Sequence, residues 1–237
     1  MSYKRYHRYS KKNPVGATKP PFADFNFHDL EAPVLRNKNM LITSIDPGIV
    51  NCGLYVNCVN TETFEQKSVH LSKLEFNKGE NHYVESLKKL EEIEEKYKYF
   101  SSSHYIVIES QMAISYDNTR MGQHLITFFM TFLKNKGNRP IIIEFNSQSK
   151  TRLLGCPKGL KKPEYKVWCR EKALQLLKSR GERENKFIDF LTSAKKKDDM
   201  GDAICQCEAW LTVYKGEAIQ VPKPVVRQKE NTIEIEE

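Results

Sequence analysis

Three groups of acidic side chains stand where a folded chain would hold them still. Asp46 follows the apolar run 40–45, Glu109 follows the run 105–108, and Asp198, Asp199 and Asp202 open an amphipathic segment. A carboxylate at the end of a buried strand is fixed by a rigid element, which suits a positioned metal ligand. Mg2+ takes oxygen ligands, typically a few carboxylates with waters and substrate phosphate. Each group alone also has a structural reading. Asp46-Pro47-Gly48 is a good turn sequence, a glutamate after a strand is commonly solvated, and aspartates in a first helical turn complement free N–H groups. Together at one sheet edge they would repel one another strongly unless cations bound there, an arrangement used in two-metal phosphodiester chemistry.

The elements that must position these groups follow from hydrophobic periodicity. Short apolar runs rich in β-formers predict strands at 40–45, 53–59, 105–108 and 140–143, with a less regular one at 63–71. Three- and four-residue apolar spacing predicts helices at 80–99, 119–134, 164–178 and 198–214, whereas 146–163 reads as a polar, basic connection. The order is three strands, helix, strand, helix, strand, helix, helix. It predicts an α/β domain with helices on a mixed sheet. In the second helix, Met121, Leu125, Phe128, Phe129 and Phe132 offer more large apolar area than one sheet face needs. Phe128 and Phe129 are about 100° apart, so one is expected in the core and the other free to meet a second copy.

The last helix allows a finer expectation. Its apolar stripe is Met200, Ile204, Cys207, Leu211 and Tyr214. At about 100° per residue, Asp199 lies about 90° from the stripe's centre, Asp202 about 150° and Asp198 about 170°. Asp199 and Asp202, three apart, can share a site, as can Asp198 and Asp202. Because Asp199 flanks the buried face, it is expected to look into the cleft, and Asp198 towards solvent or behind the residues that line the site.

Basic residues surround the acidic groups. Lys150, Arg152, Lys158, Lys161, Lys162 and Lys166 precede them, and Lys195-Lys196-Lys197 leads into the aspartates. Beside a metal site such a stretch is a natural cradle for a phosphate backbone; elsewhere it is a solvated face. Lys+Arg exceed Asp+Glu by 38 to 30, the isoelectric point is near 9.0 and the mean hydropathy is −0.61. That balance favours a polyanionic partner. No apolar run reaches the roughly 18 residues of a membrane span, and the first 35 residues hold no signal-type apolar segment. The six cysteines show no CxxC and no zinc-type spacing, so reduced thiols of an intracellular protein are expected. At 237 residues, one domain with tails fits: a flexible basic arm at 1–38, with no acidic residue in its first twenty, a domain at 39–215, and a disordered tail at 216–237.

At these residues the chain resembles the RuvC-type Holliday-junction resolvases. Ser44-Ile45-Asp46-Pro47-Gly48-Ile49-Val50-Asn51-Cys52-Gly53 is similar to their DxGxxNxG motif, and Val107-Ile108-Glu109-Ser110-Gln111 to the second motif. Lys196-Lys197-Asp198-Asp199-Met200-Gly201-Asp202-Ala203 is similar to the DxxDA end motif, in a form closest to the poxvirus and fungal mitochondrial branch. The resemblance covers about residues 40–214. It implies an RNase H-like fold and a homodimer cutting four-way junctions with two Mg2+ or Mn2+ ions per site. It also implies metal binding at Asp46, Glu109, Asp199 and Asp202. A basic catalytic helper would come from Lys150 or from the stretch around Lys162, and DNA contacts from Lys150, Arg152, Lys158, Lys161, Lys162, Lys166, Lys196 and Lys197. The branch implies a viral or mitochondrial setting. The chain departs from the family where bacterial members carry an aromatic wedge, here Met112, and where poxvirus members carry a basic pair, here Ala113-Ile114-Ser115. Other readings of the same residues are an RNase H-like nuclease for hybrids or flaps, a junction-binding protein without activity, and an actin-like ATPase, whose two lobes this length does not supply.

Overall fold

A computed structural model describes residues 38–76, 81–111, 115–134, 136, 140–194 and 198–216, and the backbone of 25–28, 34–35 and 225–226. The strands are β1 (Phe25–His28), β2 (Val34–Leu35), β3 (Asn39–Asp46), β4 (Asn51–Asn60), β5 (Gln66–Glu75), β6 (Tyr105–Ser110), β7 (Ile141–Asn146) and β8 (Val225–Val226). The helices are α1 (His82–Tyr97), α2 (Tyr99–Ser102), α3 (Tyr116–Phe132), α4 (Ser147–Leu153), α5 (Lys162–Ser179), α6 (Asn185–Ser193) and α7 (Asp198–Lys215). A mixed sheet runs in the order β1-β7-β6-β3-β4-β5. β3, β6 and β7 are parallel, and β4, β5 and β1 are antiparallel to their neighbours.

Period-2 alternation sorts the sheet residues onto two faces. Met40, Ile42, Tyr105, Val107, Ile141 and Ile143 meet α5, α6 and α7, while Ile45, Leu54, Ile106, Ile108 and Ile142 meet α1, α2 and α3. The same alternation assigns Asp46, two residues past Ser44, and Glu109, two past Val107, to the α7 face. Parallel pairing aligns Ile45 with Ile108, so Asp46 and Glu109 stand side by side one residue beyond.

The expected helical and strand order holds, with several differences. β5 begins later than predicted because Asn60 Oδ1 accepts from the backbone N–H of Glu62 and Thr63 at 2.9 and 3.0 Å, fixing a side-chain turn over 61–63. The connection at 146–163 is not merely polar. Asn146 caps α4 by accepting from the Gln148 N–H at 2.8 Å, and that short helix carries Lys150 inward. Residues 25–28, expected in the arm, pair with β7, and 34–35 pair with 225–226 of the expected tail. Apart from Lys38 and Gly216, the remaining arm and tail residues lie outside the described residues, as do Met112, Ala113, Ile114, Lys195, Lys196 and Lys197. Among those described, no helix is long and apolar enough to cross a membrane, and all six cysteines are free thiols.

α7 is buried nearly all round, from Met200 to Tyr214, because the sheet covers one side and α4 and α5 the others. The single stripe read from its sequence was therefore too narrow. The expectation that Phe128 and Phe129 diverge is also corrected. Both are buried, Phe129 edge-on to Phe100 and Phe128 stacked on Phe132 at 4.8 Å. The hollow beside α1 and α2 is deep enough to take both rings. Phe128→Asp and Phe129→Asp are each expected to yield insoluble or unfolded protein, since a buried unpaired charge at either place cannot be compensated. A folded, soluble Phe128→Asp monomer in light scattering would show that this ring faces outward instead.

Candidate active site

The site assembles from the ends of two adjacent parallel strands, the first turns of α7, and α4. β3 delivers Asp46, β6 delivers Glu109, α7 delivers Asp199 and Asp202, and α4 delivers Lys150. The Lys150 side chain is 1% exposed, and its ammonium donates to Glu109 Oε2 at 2.6 Å and to Asp202 Oδ1 at 2.5 Å. Asp202 Oδ1 also accepts from the Tyr165 hydroxyl at 3.2 Å and from the Cys169 thiol at 3.1 Å. Three donors on one oxygen pin the carboxylate and leave Oδ2 as its available atom.

A close approach of backbones makes this convergence possible. Gly53 on β4 pairs directly with Asp46 across the ladder. A Cβ at Gly53 would overlap the backbone oxygen of Asp199. Only a glycine lets the start of α7 lie against β4 beside Asp46, which is the physical content of the last glycine in the first motif.

The electrostatics are those of crowded acids. Burial, then the charges of Glu109 and Asp202, push the Asp46 carboxyl well above its usual value, with Asp199 adding to the effect and Lys150 opposing it. Burial also raises Glu109, against the pull of Lys150. For Lys150 burial works against the charge, but Asp202 and Glu109 outweigh it and hold the ammonium protonated. Burial likewise raises the Tyr165 phenol, so it keeps the proton it donates. Lys150 is committed to Glu109 and Asp202, and Asp46 makes no ion pair among the described residues.

Of the residues singled out from the sequence, the structure brings together Asp46, Glu109, Asp199, Asp202 and Lys150. The two lysine candidates differ in burial: Lys162 is exposed at the start of α5, whereas Lys150 is internal and paired with Glu109 and Asp202. Asp198 is half-buried and pairs with Lys166. Asp202, placed nearly opposite the apolar stripe, is nevertheless central, because α4 and α5 close over that side. Lys158, Lys161 and Lys162 are exposed on and before α5, the helix whose Tyr165 touches Asp202; Arg152 is also exposed and donates to Ser149 Oγ. Tyr165 and Cys169 were not anticipated. Their spacing of four on one helix face was the available signal.

The donor set is suited to a hard divalent cation: all oxygen, all carboxylate, with more negative charge than one ammonium neutralises. Among the described residues, no three acidic, histidine or cysteine side chains are close enough in this arrangement to chelate an ion. The Lys150 ammonium stands in the gap between Glu109 and Asp202.

No family model matches the chain. Uncharacterized protein 97L of invertebrate iridescent virus 3 is 28% identical over 123 residues, and uncharacterized protein 170L of invertebrate iridescent virus 6 is 29% identical over 142. Each alignment covers 52% of this chain, and the chain spans about half of each relative, 55% and 56%. The fowlpox virus Holliday junction resolvase superposes with a TM-score of 0.51 at 18% identity, over 73% of this chain and 99% of that one. Its complex with substrate junction DNA gives 0.52 at 16% identity, over 75% and 100%. The chain has the RNase H-like fold of the Holliday junction resolvases. The yeast mitochondrial Holliday junction resolvase shares this resolvase fold too, with a TM-score of 0.52 at 16% identity over 72% of this chain and 78% of its own. The fold likeness thus includes resolvases of the poxvirus and fungal mitochondrial kinds that the motifs resemble.

The raised Asp46 carboxyl has a thermodynamic consequence. Its folded pKa lies well above its ordinary 3.8, so the folded state binds more protons in that window and stability falls as pH rises through it. In metal-free protein, Asp46→Asn is expected to raise the melting temperature at pH 8 and to flatten its decline as pH rises above the ordinary carboxylate range. A lower melting temperature for Asp46→Asn at pH 8 would contradict this electrostatic picture.

Proposed function

We propose that this chain is a metal-dependent endonuclease that resolves four-way DNA junctions by paired, symmetric nicks. The observation that carries the reading is the convergence of Asp46, Glu109, Asp199 and Asp202 around one buried lysine, on a resolvase fold. These four residues would hold Mg2+ or Mn2+, two ions per site. Ions so held supply activation of a water and stabilisation of the leaving 3′-oxygen. Lys150 fixes Glu109 and Asp202 and offsets part of their repulsion. Tyr165 and Cys169 fix the orientation of Asp202. Lys158, Lys161 and Lys162, exposed beside the site, offer donors to the phosphate backbone. Lys166 spends its charge on Asp198 and is a weaker candidate for that contact.

A junction has two equivalent scissile phosphates, and one carboxylate cluster serves one of them. A twofold homodimer presents the site twice. This symmetry argument stands without the α3 phenylalanines, which are internal.

The test is cleavage of a four-way junction, an RNA–DNA hybrid and a linear duplex, each with Mg2+, with Mn2+ and with excess EDTA. The expected result is paired cutting of the junction that needs either ion. Asp46→Asn, Glu109→Gln, Asp199→Asn and Asp202→Asn should each abolish cutting while junction binding persists, because affinity comes from the basic surface. Asp198→Asn should be mild. Preferred cutting of the hybrid, or robust junction cutting in EDTA, would overturn the proposal.

A further inference from the structure

We infer that Gln206 is a positioning residue that clamps the three carboxylate-bearing elements of the site together; the inference rests on the reading of those carboxylates as the catalytic set. Gln206 lies in the middle of α7 and is fully buried. It is one turn past Asp202 and two past Asp199. At about 100° per residue its direction falls between theirs, so the three project from one side of the helix.

The amide nitrogen donates to the backbone carbonyl of Val107 at 2.9 Å, to that of Ile45 at 3.1 Å, and lies 3.1 Å from Ser44 Oγ. Ile45 immediately precedes Asp46, and Val107 is two residues before Glu109. Ser44 and Val107 face each other across the β3–β6 ladder. One side chain from the helix carrying Asp199 and Asp202 thus grips both strands that carry the other two carboxylates, directly beneath them.

The chemistry of the partners fixes the amide's orientation. Two backbone carbonyls only accept, so the nitrogen must face them. The amide oxygen is then left buried with no hydrogen-bond partner. That is a desolvation cost which methionine, of similar shape, would not carry. What only the glutamine adds is a pair of donors joining β3 and β6 to α7. Divalent magnesium demands near-ideal ligand distances of about 2.0–2.1 Å. Without the clamp, α7 is freer to shift against the strands, and the four carboxylates are less well placed to close on an ion.

The test compares Q206M and Q206N with the parent protein. The measurements are metal-free melting temperature, junction binding in EDTA, Mn2+ affinity by calorimetry, and the Mn2+ concentration giving half-maximal cleavage. Q206M keeps the volume and removes the donors, whereas Q206N withdraws the amide by one methylene, so it cannot reach both carbonyls. For either folded variant we expect unchanged junction binding, with Mn2+ affinity weakened about tenfold or more and the half-maximal Mn2+ concentration raised to match. Tyr55→Phe provides the comparison. It removes a buried hydroxyl held by Ser68 and Arg180, outside the clamp, and should lower the melting temperature while leaving Mn2+ affinity alone. If Q206M fails to fold, Q206N carries the same expectation. Parent-like Mn2+ affinity in a folded variant overturns the clamp. If the parent takes up no Mn2+, or Asp46→Asn takes it up equally well, the carboxylate reading itself falls, and the clamp with it.

Discussion

The ammonium of Lys150, held between Glu109 and Asp202 in a buried pocket, is the constraint on which the rest of the site depends. Taking an ammonium and two carboxylates out of water is costly, and the arrangement survives only because the bonds are short and the oxygens are otherwise satisfied. Removing one member of such a set typically costs about 3–5 kcal/mol, because the remaining charges stay buried. Here the strain is larger in kind, since Asp46 and Asp199 press further negative charge on the same place. The chain tolerates this by building the site from rigid parts: two strand ends, one buried helix, and a short capped helix that brings the lysine in.

That frame explains why the fold and the site are inseparable. Parallel pairing of β3 with β6 puts Asp46 beside Glu109, and the absence of a side chain at Gly53 brings the start of α7 against β4. Cover by α4 and α5 turns Asp202 from a surface aspartate into a central one. Carboxylates carried on rigid elements keep their mutual geometry better than carboxylates on loops. The exposed lysines before and along α5 stand on the same helix as Tyr165 or just ahead of it.

Much of this was legible in the chain. Strand-terminal Asp46 and Glu109 follow from apolar runs that stop at them, and the DxxD spacing of α7 follows from helical geometry. What was not legible depended on burial. A lysine in a run of basic residues reads as solvated, and nothing local separates Lys150 from Lys162; the difference is that α4 packs beneath α7 and α5 begins at the surface. The stripe on α7 was drawn too narrow because a helix covered on three sides looks, in sequence, like one covered on one side with scattered polar residues. Phe128 and Phe129 were expected to diverge because the wheel treats a core as a plane, whereas α1, α2 and α3 enclose a hollow that accepts both. Gln206 carried no signal at all: a polar residue in an apolar helix acquires meaning only when its partners on β3 and β6 are known.

The most direct test of the central claim is crystallographic. Crystals soaked in Mn2+ and measured at a wavelength with anomalous signal should show density bounded by the carboxylates of Asp46, Glu109, Asp199 and Asp202. The Lys150 ammonium should move off at least one of its two partners. Absence of anomalous density there at saturating Mn2+, with Lys150 still bonded to both Glu109 and Asp202, would contradict the account.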